Sequence, residues 1–255
     1  MTTLVSPKTS LAEYAAEEVA GIVALRCQEL SMHLGWPLVP PAVQIVAPGA
    51  LREARDADVR VRAETIRGAP HREGFLASLA TLLQDFMGPS VLGYFGTSQN
   101  TLSLNAELVP QQAGYVLLHE LVHAAQWQNF PELFAVIDAA RVATEDLVDE
   151  QGATSTAAVA ARDRYESLVT FLEGHATLHG RRACEARLAR DAPNATAEEV
   201  HGLVAAMTGL DPTDDMTALI YVRGETALAE LDAAKVESLF RDPEQIVKLF
   251  TRIQA

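Results

Sequence analysis

Cysteine is almost missing from this 255-residue chain, which has only Cys27 and Cys184. They lie far apart, each within a helical pattern and at no metal-ligand spacing, so a zinc-finger or Cys-x-x-Cys redox framework is excluded. Two buried thiols are expected rather than a disulfide. Positive charge is also scarce: 20 Lys and Arg face 34 Asp and Glu, a formal net charge of −14. A phosphate backbone would be repelled by such a chain, and no nucleic-acid partner is expected. No apolar run approaches the roughly 20 residues that span a bilayer. The N-terminal stretch Met1–Ser10 has one Lys and no hydrophobic block behind it. A cytoplasmic location with no membrane partner is the resulting expectation. Gly-rich phosphate loops, Gly-x-Ser-x-Gly elbows, internal repeats and low-complexity tracts are lacking too, which removes several competing enzyme classes.

What the chain does have is apolar residues, 49% of the total, enough for a substantial core. Most of them recur at helical spacing. Ser10-x-x-Glu13 has the form of a capping box, and Leu11, Ala15, Val19, Ile22 and Val23 continue at helical intervals until Gly35 and Pro37. Ala42–Val46 reads as a strand, Arg52–Arg72 as a solvated helix plus loop, and Phe75–Phe86 as an amphipathic helix. Val91–Phe95 and Thr101–Asn105 read as strands around a turn, predicting a small antiparallel sheet. Pro110 opens a helix that Pro131 stops. Further helical patterns cover Glu132–Glu150, Thr156–Leu188, Ala197–Met207, Asp214–Leu231 and Glu244–Ile253, with a second capping box at Thr196-x-x-Glu199. The expected fold class is α+β and predominantly α-helical. Residues 1–130 would form an N-terminal lobe with the small sheet and the active-site helix. Residues 131–255 would form a helical C-terminal lobe, the two making one structural unit.

The chemistry sits in His119-Glu120-Leu121-Val122-His123. Histidines four apart share one helix face, so both imidazoles can aim a nitrogen at one zinc ion about 2 Å away. Glu120 projects beside them, where it can take a proton from a water on that ion. The flanks Tyr115–Leu118, Leu121–Val122 and Ala124–Ala125 are uncharged, as a buried helix requires. On a solvent face such a neighbourhood would be costly.

A catalytic zinc usually takes three protein ligands. Glu173 is the favoured third, because it lies mid-helix among Leu168, Val169, Phe171 and Leu172, where an unpaired carboxylate is expensive. Gly174 and Ala176 would let its helix approach the motif helix. His175 lies about 200° around that helix from Glu173 and cannot share its metal. His179 is the alternative ligand, a second-sphere or substrate-contacting role being equally open. A purely structural Glu173 also stays open. The acidic cluster Glu145, Asp146, Asp149 and Glu150 reads as a solvated face.

With Leu118–Gln126 and Leu172-Glu173-Gly174-His175-Ala176, the chain resembles the gluzincin clan of zincin-like zinc metallopeptidases, in particular small bacterial members. Tyr221-Val222-Arg223-Gly224 and Asp242-Pro243-Glu244-Gln245 extend the likeness, which covers roughly residues 91–250. It implies a zincin-like fold with zinc on His119, His123 and Glu173. It also implies a peptide or protein substrate paired with an edge strand, for which Thr101–Asn105 is the candidate. One departure is Thr177, where thermolysin-like enzymes place an Asp that orients a histidine.

An oxyanion donor is expected beyond the metal. Tyr221 is the candidate, on a face with Gly224 and Leu228; a core aromatic is the competing reading. Arg223 is the runner-up, suited to a substrate carboxylate. His33, His71 and His201 have no partner at metal spacing, and Trp36 and Trp127 read as core anchors. The leading expectation is a zinc peptidase with Glu120 as general base. The rivals are a zinc enzyme acting on another amide or ester or in biosynthesis, and a non-catalytic zincin-derived binding protein. Oligomeric state is not legible.

Overall fold

In a computed structural model, residues 8–68, 92–196, 198–200, 202–203 and 215–254 are described. The expected helix at Phe75–Phe86, together with His71 and His201, lies outside them. Among the described residues the main elements follow in this order: α1 (Ala16–Leu34), β1 (Ala42–Val46), α2 (Pro48–Arg67), β2 (Gly93–Gly96), β3 (Thr101–Asn105), α3 (Pro110–Asn129), α4 (Pro131–Gln151), α5 (Thr156–Asp191), α6 (Asp215–Ala229), α7 (Ala233–Arg241) and α8 (Pro243–Gln254). A mostly helical α+β architecture is therefore observed. Among the described residues, no helix is long and apolar enough to cross a membrane.

Local chemistry accounts for the boundaries. Pro48, Pro110 and Pro131 each sit in the first turn of their helix, where the missing N–H costs nothing. Gly35 and Gly68 end α1 and α2 in the left-handed conformation, at φ 72° and 64°. The Ser10 capping box closes only a 3-10 turn, Leu11–Glu13, and α1 starts later, at Ala16. The turn is diverted because Leu11 and Ala12 donate their N–H groups to the Leu108 and Ala106 carbonyls. Helix α7, absent from the sequence reading, is announced by Asp232, whose carboxylate accepts from Lys235 N at 2.7 Å.

The sheet is mixed rather than antiparallel, in order β1–β3–β2. β2 and β3 form the expected antiparallel pair, but β1 joins β3 in parallel, Ala42 opposite Thr101 through Val46 opposite Asn105. Thr101–Asn105 is thus the central strand, with both sides taken, and cannot receive a peptide; among the described residues β2 lies at the edge. The local turn at residues 97–100 foretold the hairpin. The parallel partner arrives from far up the chain, which short-range pattern cannot reveal.

Two apolar clusters share the long helix α5. One gathers α1, β3 and α3 with Ala176 and Cys184 of α5. The other joins Leu168, Phe171, Leu172 and Leu178 of α5 to α4, α6, α7 and α8. Both cysteines are buried thiols, as expected. Glycines set how closely the helices cross. A Cβ on Gly174 would lie 2.2 Å from the backbone of Gly224, so this pair lets α5 and α6 touch. The approach of α5 to the motif helix rests instead on Gly180, whose added Cβ would stand 3.2 Å from His119 Cα.

Glu145 is not part of a solvated face. It is 1% exposed and pairs at 2.7 Å with both Arg67 and Arg141. Arg62 continues this network, joining Asp138 at 2.7 Å to Asp58 at 3.0 Å. Asp58 in turn accepts from the Tyr94 hydroxyl at 2.7 Å and Ser98 N at 2.9 Å. Charges so buried are tolerated because each carboxylate meets a guanidinium. The network ties α2 and α4 to β2 and to the turn that follows it, which fixes the edge strand beside the motif helix.

Candidate metal centre

His119 and His123 come from α3, whose inward face also carries buried Val116, Glu120 and Ala124. Glu173 arrives from α5. His119 Nε2 and His123 Nε2 stand 3.2 Å from each other, and each stands 3.2 Å from Glu173 Oε2. All three donor atoms lie within 4.8 Å of one another, and the group can hold a metal ion.

The protonation pattern tests that fit. Gln126, fully buried, donates its amide N–H groups to the Leu172 carbonyl at 3.0 Å and to His175 Nδ1 at 3.1 Å. Its oxygen, 2.8 Å from His123 Nδ1, must therefore accept. Neutral His123 then carries hydrogen on Nδ1 and a bare lone pair on Nε2. That lone pair faces a second imidazole nitrogen and a carboxylate oxygen, an arrangement suited to a cation held between them. Ligands about 2.0–2.1 Å from a tetrahedral ion stand about 3.3–3.4 Å apart, close to the spacing found. In the ion's place a proton serves. Burial opposes charge on His123, yet Glu173 pushes it up to about 9. Burial likewise opposes ionisation of Glu173, and the two imidazoles hold it well below the usual carboxylate range.

Glu120 is 9% exposed and packs under β2. A Cβ on Gly93 would meet Glu120 Cγ at 3.0 Å and Val116 Cγ1 at 2.5 Å, so that glycine is what admits the strand. The Phe95 backbone N–H favours the charged form of the Glu120 carboxylate, the smallest of the influences on it. Burial raises the Glu120 carboxyl above its ordinary value, with the neighbouring imidazoles pulling back in part.

Comparison with protein-family models, curated proteins and solved structures returned no match. The residues' own geometry therefore carries the functional argument.

Tyr221 of α6 reaches this centre. Its ring lies 5.8 Å from that of His119, and its hydroxyl hydrogen-bonds to Glu173. Burial, then the Glu173 and Glu120 carboxylates, keep the phenol protonated well above its usual value. Arg223 turns toward α8, its Nη2 donating to the Phe250 carbonyl at 2.7 Å. Helical periodicity explains the divergence, since two residues on a helix point some 200° apart.

His175 is 1% exposed and bonds Gln126, not the metal group. Its ring stacks on Trp36 at 5.3 Å and 6°, and Phe240 meets it edge-on at 5.0 Å. Gln126 was the link missing from the sequence reading; its place three residues after His123 was the available signal. His179 is not among the three described residues whose donor atoms converge. Its Nδ1 meets His33 Nε2 at 3.1 Å, and its ring lies 4.3 Å from that of His175. His33 is exposed, as expected of a surface residue, and meets His179 there. Thr177 is buried and makes no side-chain hydrogen bond.

The histidine cluster sets an acid response. Burial, then His33 and Arg182, lower His179 to about 3, and burial and neighbouring histidines lower His175 well below its ordinary value. Folded-state values below the unfolded 6.5 mean that the unfolded chain binds more protons as pH falls. Their contribution is present above about pH 6.5 and drains away below it, at about 1 kcal/mol per pH unit for each histidine. His123, raised to about 9 in metal-free protein, works weakly the other way, its contribution becoming complete as pH falls below the unfolded 6.5. The urea midpoint of chelated protein should fall from pH 6.5 to pH 5, and His179→Gln should flatten the fall. Equal slopes for both proteins would show that His179 is protonated within the fold.

Proposed function

We propose that this chain is a zinc-dependent metallohydrolase acting on peptide bonds. The observation that carries the reading is the mutual 3.2 Å spacing of two imidazole nitrogens and one carboxylate oxygen, with buried Glu120 next in chain. Zinc is favoured by the His, His, Glu donor set, and when bound it would acidify a water and polarise a carbonyl.

The chain's own groups would do the rest. Glu120, its basicity raised by burial, takes the proton of the attacking water and passes it to the leaving nitrogen. Gln126 keeps His123 in the tautomer that presents Nε2. Tyr221, still protonated near neutrality, can turn its hydroxyl from Glu173 to an oxygen that gains charge. β2, the edge strand beside Glu120, is the site for an extended substrate. Reduced, buried Cys27 and Cys184 suit the cytoplasm.

The test is metal analysis joined to turnover of a diverse peptide library. Protein purified without chelator should carry about one zinc per chain. It should cleave a subset of the library and lose that cleavage with a zinc chelator. Zinc without cleavage would favour the non-peptide or binding alternatives; no retained metal would overturn the reading.

A further inference from the structure

The two imidazoles of the metal group are supported unequally. His123 Nδ1 is fixed by Gln126, but His119 Nδ1 is buried with no hydrogen-bond partner among protein groups. Two hydroxyls nearby share that condition. Tyr115 precedes His119 by one helical turn, its ring 6.3 Å away, and Thr177 follows Glu173 by one turn on α5. Tyr115 and Thr177 are 6% and 2% exposed, their side chains adjoin, and neither hydroxyl has a partner meeting hydrogen-bond geometry.

Thr177 is the more telling of the pair. Thr65, Thr144 and Thr251 each donate to the carbonyl four residues earlier, the usual outlet for a helical threonine. Thr177 makes no such bond. Three buried polar atoms without partners would cost several kcal/mol together, unless something shared satisfies them. Buried waters commonly make about three hydrogen bonds to groups of this kind.

We propose that Tyr115 and Thr177 are positioning residues, holding a buried water that accepts the Nδ1 proton of His119 and gives one hydrogen to each hydroxyl oxygen. The water stands in for a carboxylate: it fixes the His119 tautomer and leaves Nε2 to the metal. The inference rests on the metal-centre reading, and its test keeps the two apart.

Zinc affinity is measured by chelator competition on wild-type, Thr177→Val, Thr177→Ser and Tyr115→Phe proteins, with urea midpoints of the chelated forms. Thr177→Val and Tyr115→Phe should each weaken zinc binding about 10- to 100-fold, and Thr177→Ser should keep wild-type affinity. Should Thr177→Val fail to fold, Tyr115→Phe, which alters no shape, decides alone. Undiminished affinity in folded variants, with raised chelated stability, would mean bare hydroxyls and overturn the proposal. Equal losses in the Val and Ser variants would overturn it as well, since shape rather than the hydroxyl would matter. A wild-type protein that binds no zinc brings down the metal reading itself, before any variant is compared.

Discussion

Glu173→Ala should strip the protein of its metal. Apparent zinc binding energies of structural sites run at about 10–16 kcal/mol, so removing one ligand of three or four costs about 3–5 kcal/mol, a few hundred- to several thousand-fold in affinity. The loss should not be a folding failure. Glu173 lies on the line where α5 faces α3, but that contact is held by Gly180 against His119 and by apolar Ala176 and Cys184 in the cluster shared with α3. Removing the carboxylate also removes what holds a proton on His123, so its imidazole becomes neutral in chelated protein. Glu166→Ala on the same helix is the control; that side chain keeps to Arg162 at 3.6 Å and should leave metal binding unchanged. Zinc retention by Glu173→Ala at wild-type affinity would return the carboxylate to a structural role.

How much of this was legible beforehand depended on the range of each interaction. Pro110 and Pro131 bracket the motif helix, and their consequence is local, so α3 ran as the sequence indicated. Glu173 could be chosen because an apolar helix interior makes a lone carboxylate expensive, an argument that needs no tertiary contact. Gly174 was noticed for the right property and given the wrong neighbour. A missing Cβ marks close approach without saying to what, and the partner proved to be Gly224 of α6. Glu145 was misread for a related reason. An acidic run looks solvated until Arg67 and Arg141 arrive from elsewhere in the fold. The parallel register of β1 on β3 and the meeting of His33 with His179 were equally non-local.

The same contrast explains the site's outer layer. Gln126 lies within the motif's own helix, so its hold on His123 follows from a three-residue spacing. The carbonyl and imidazole that orient Gln126, from Leu172 and His175, belong to α5. That helix therefore supplies one of the three converging donors and also the partners of Gln126, which sets the tautomer of His123. A shift of α5 against α3 would misalign both together, which accounts for the absence of any side chain at Gly180.

Glu120→Gln should separate binding from turnover. The amide has nearly the carboxylate's shape, so it keeps its packing under Gly93 and against Val116, and its oxygen can still accept from Phe95 N–H. Glu120 is not among the three donors, so zinc affinity should stay within a few-fold of wild type. The proton relay is lost outright, because an amide cannot take a proton from water near neutrality. General acid–base catalysis is worth roughly 10²–10⁴ in rate, and library cleavage should fall by about that factor. Burial and the nearby Glu173 both disfavour a charged Glu120, and the neutral amide should leave chelated protein at least as stable as the parent. Undiminished cleavage would remove Glu120 from the proton path and move the search for a base to other groups. Loss of zinc along with cleavage would instead place Glu120 among the ligands, against the geometry in which, among the described residues, His119, His123 and Glu173 converge.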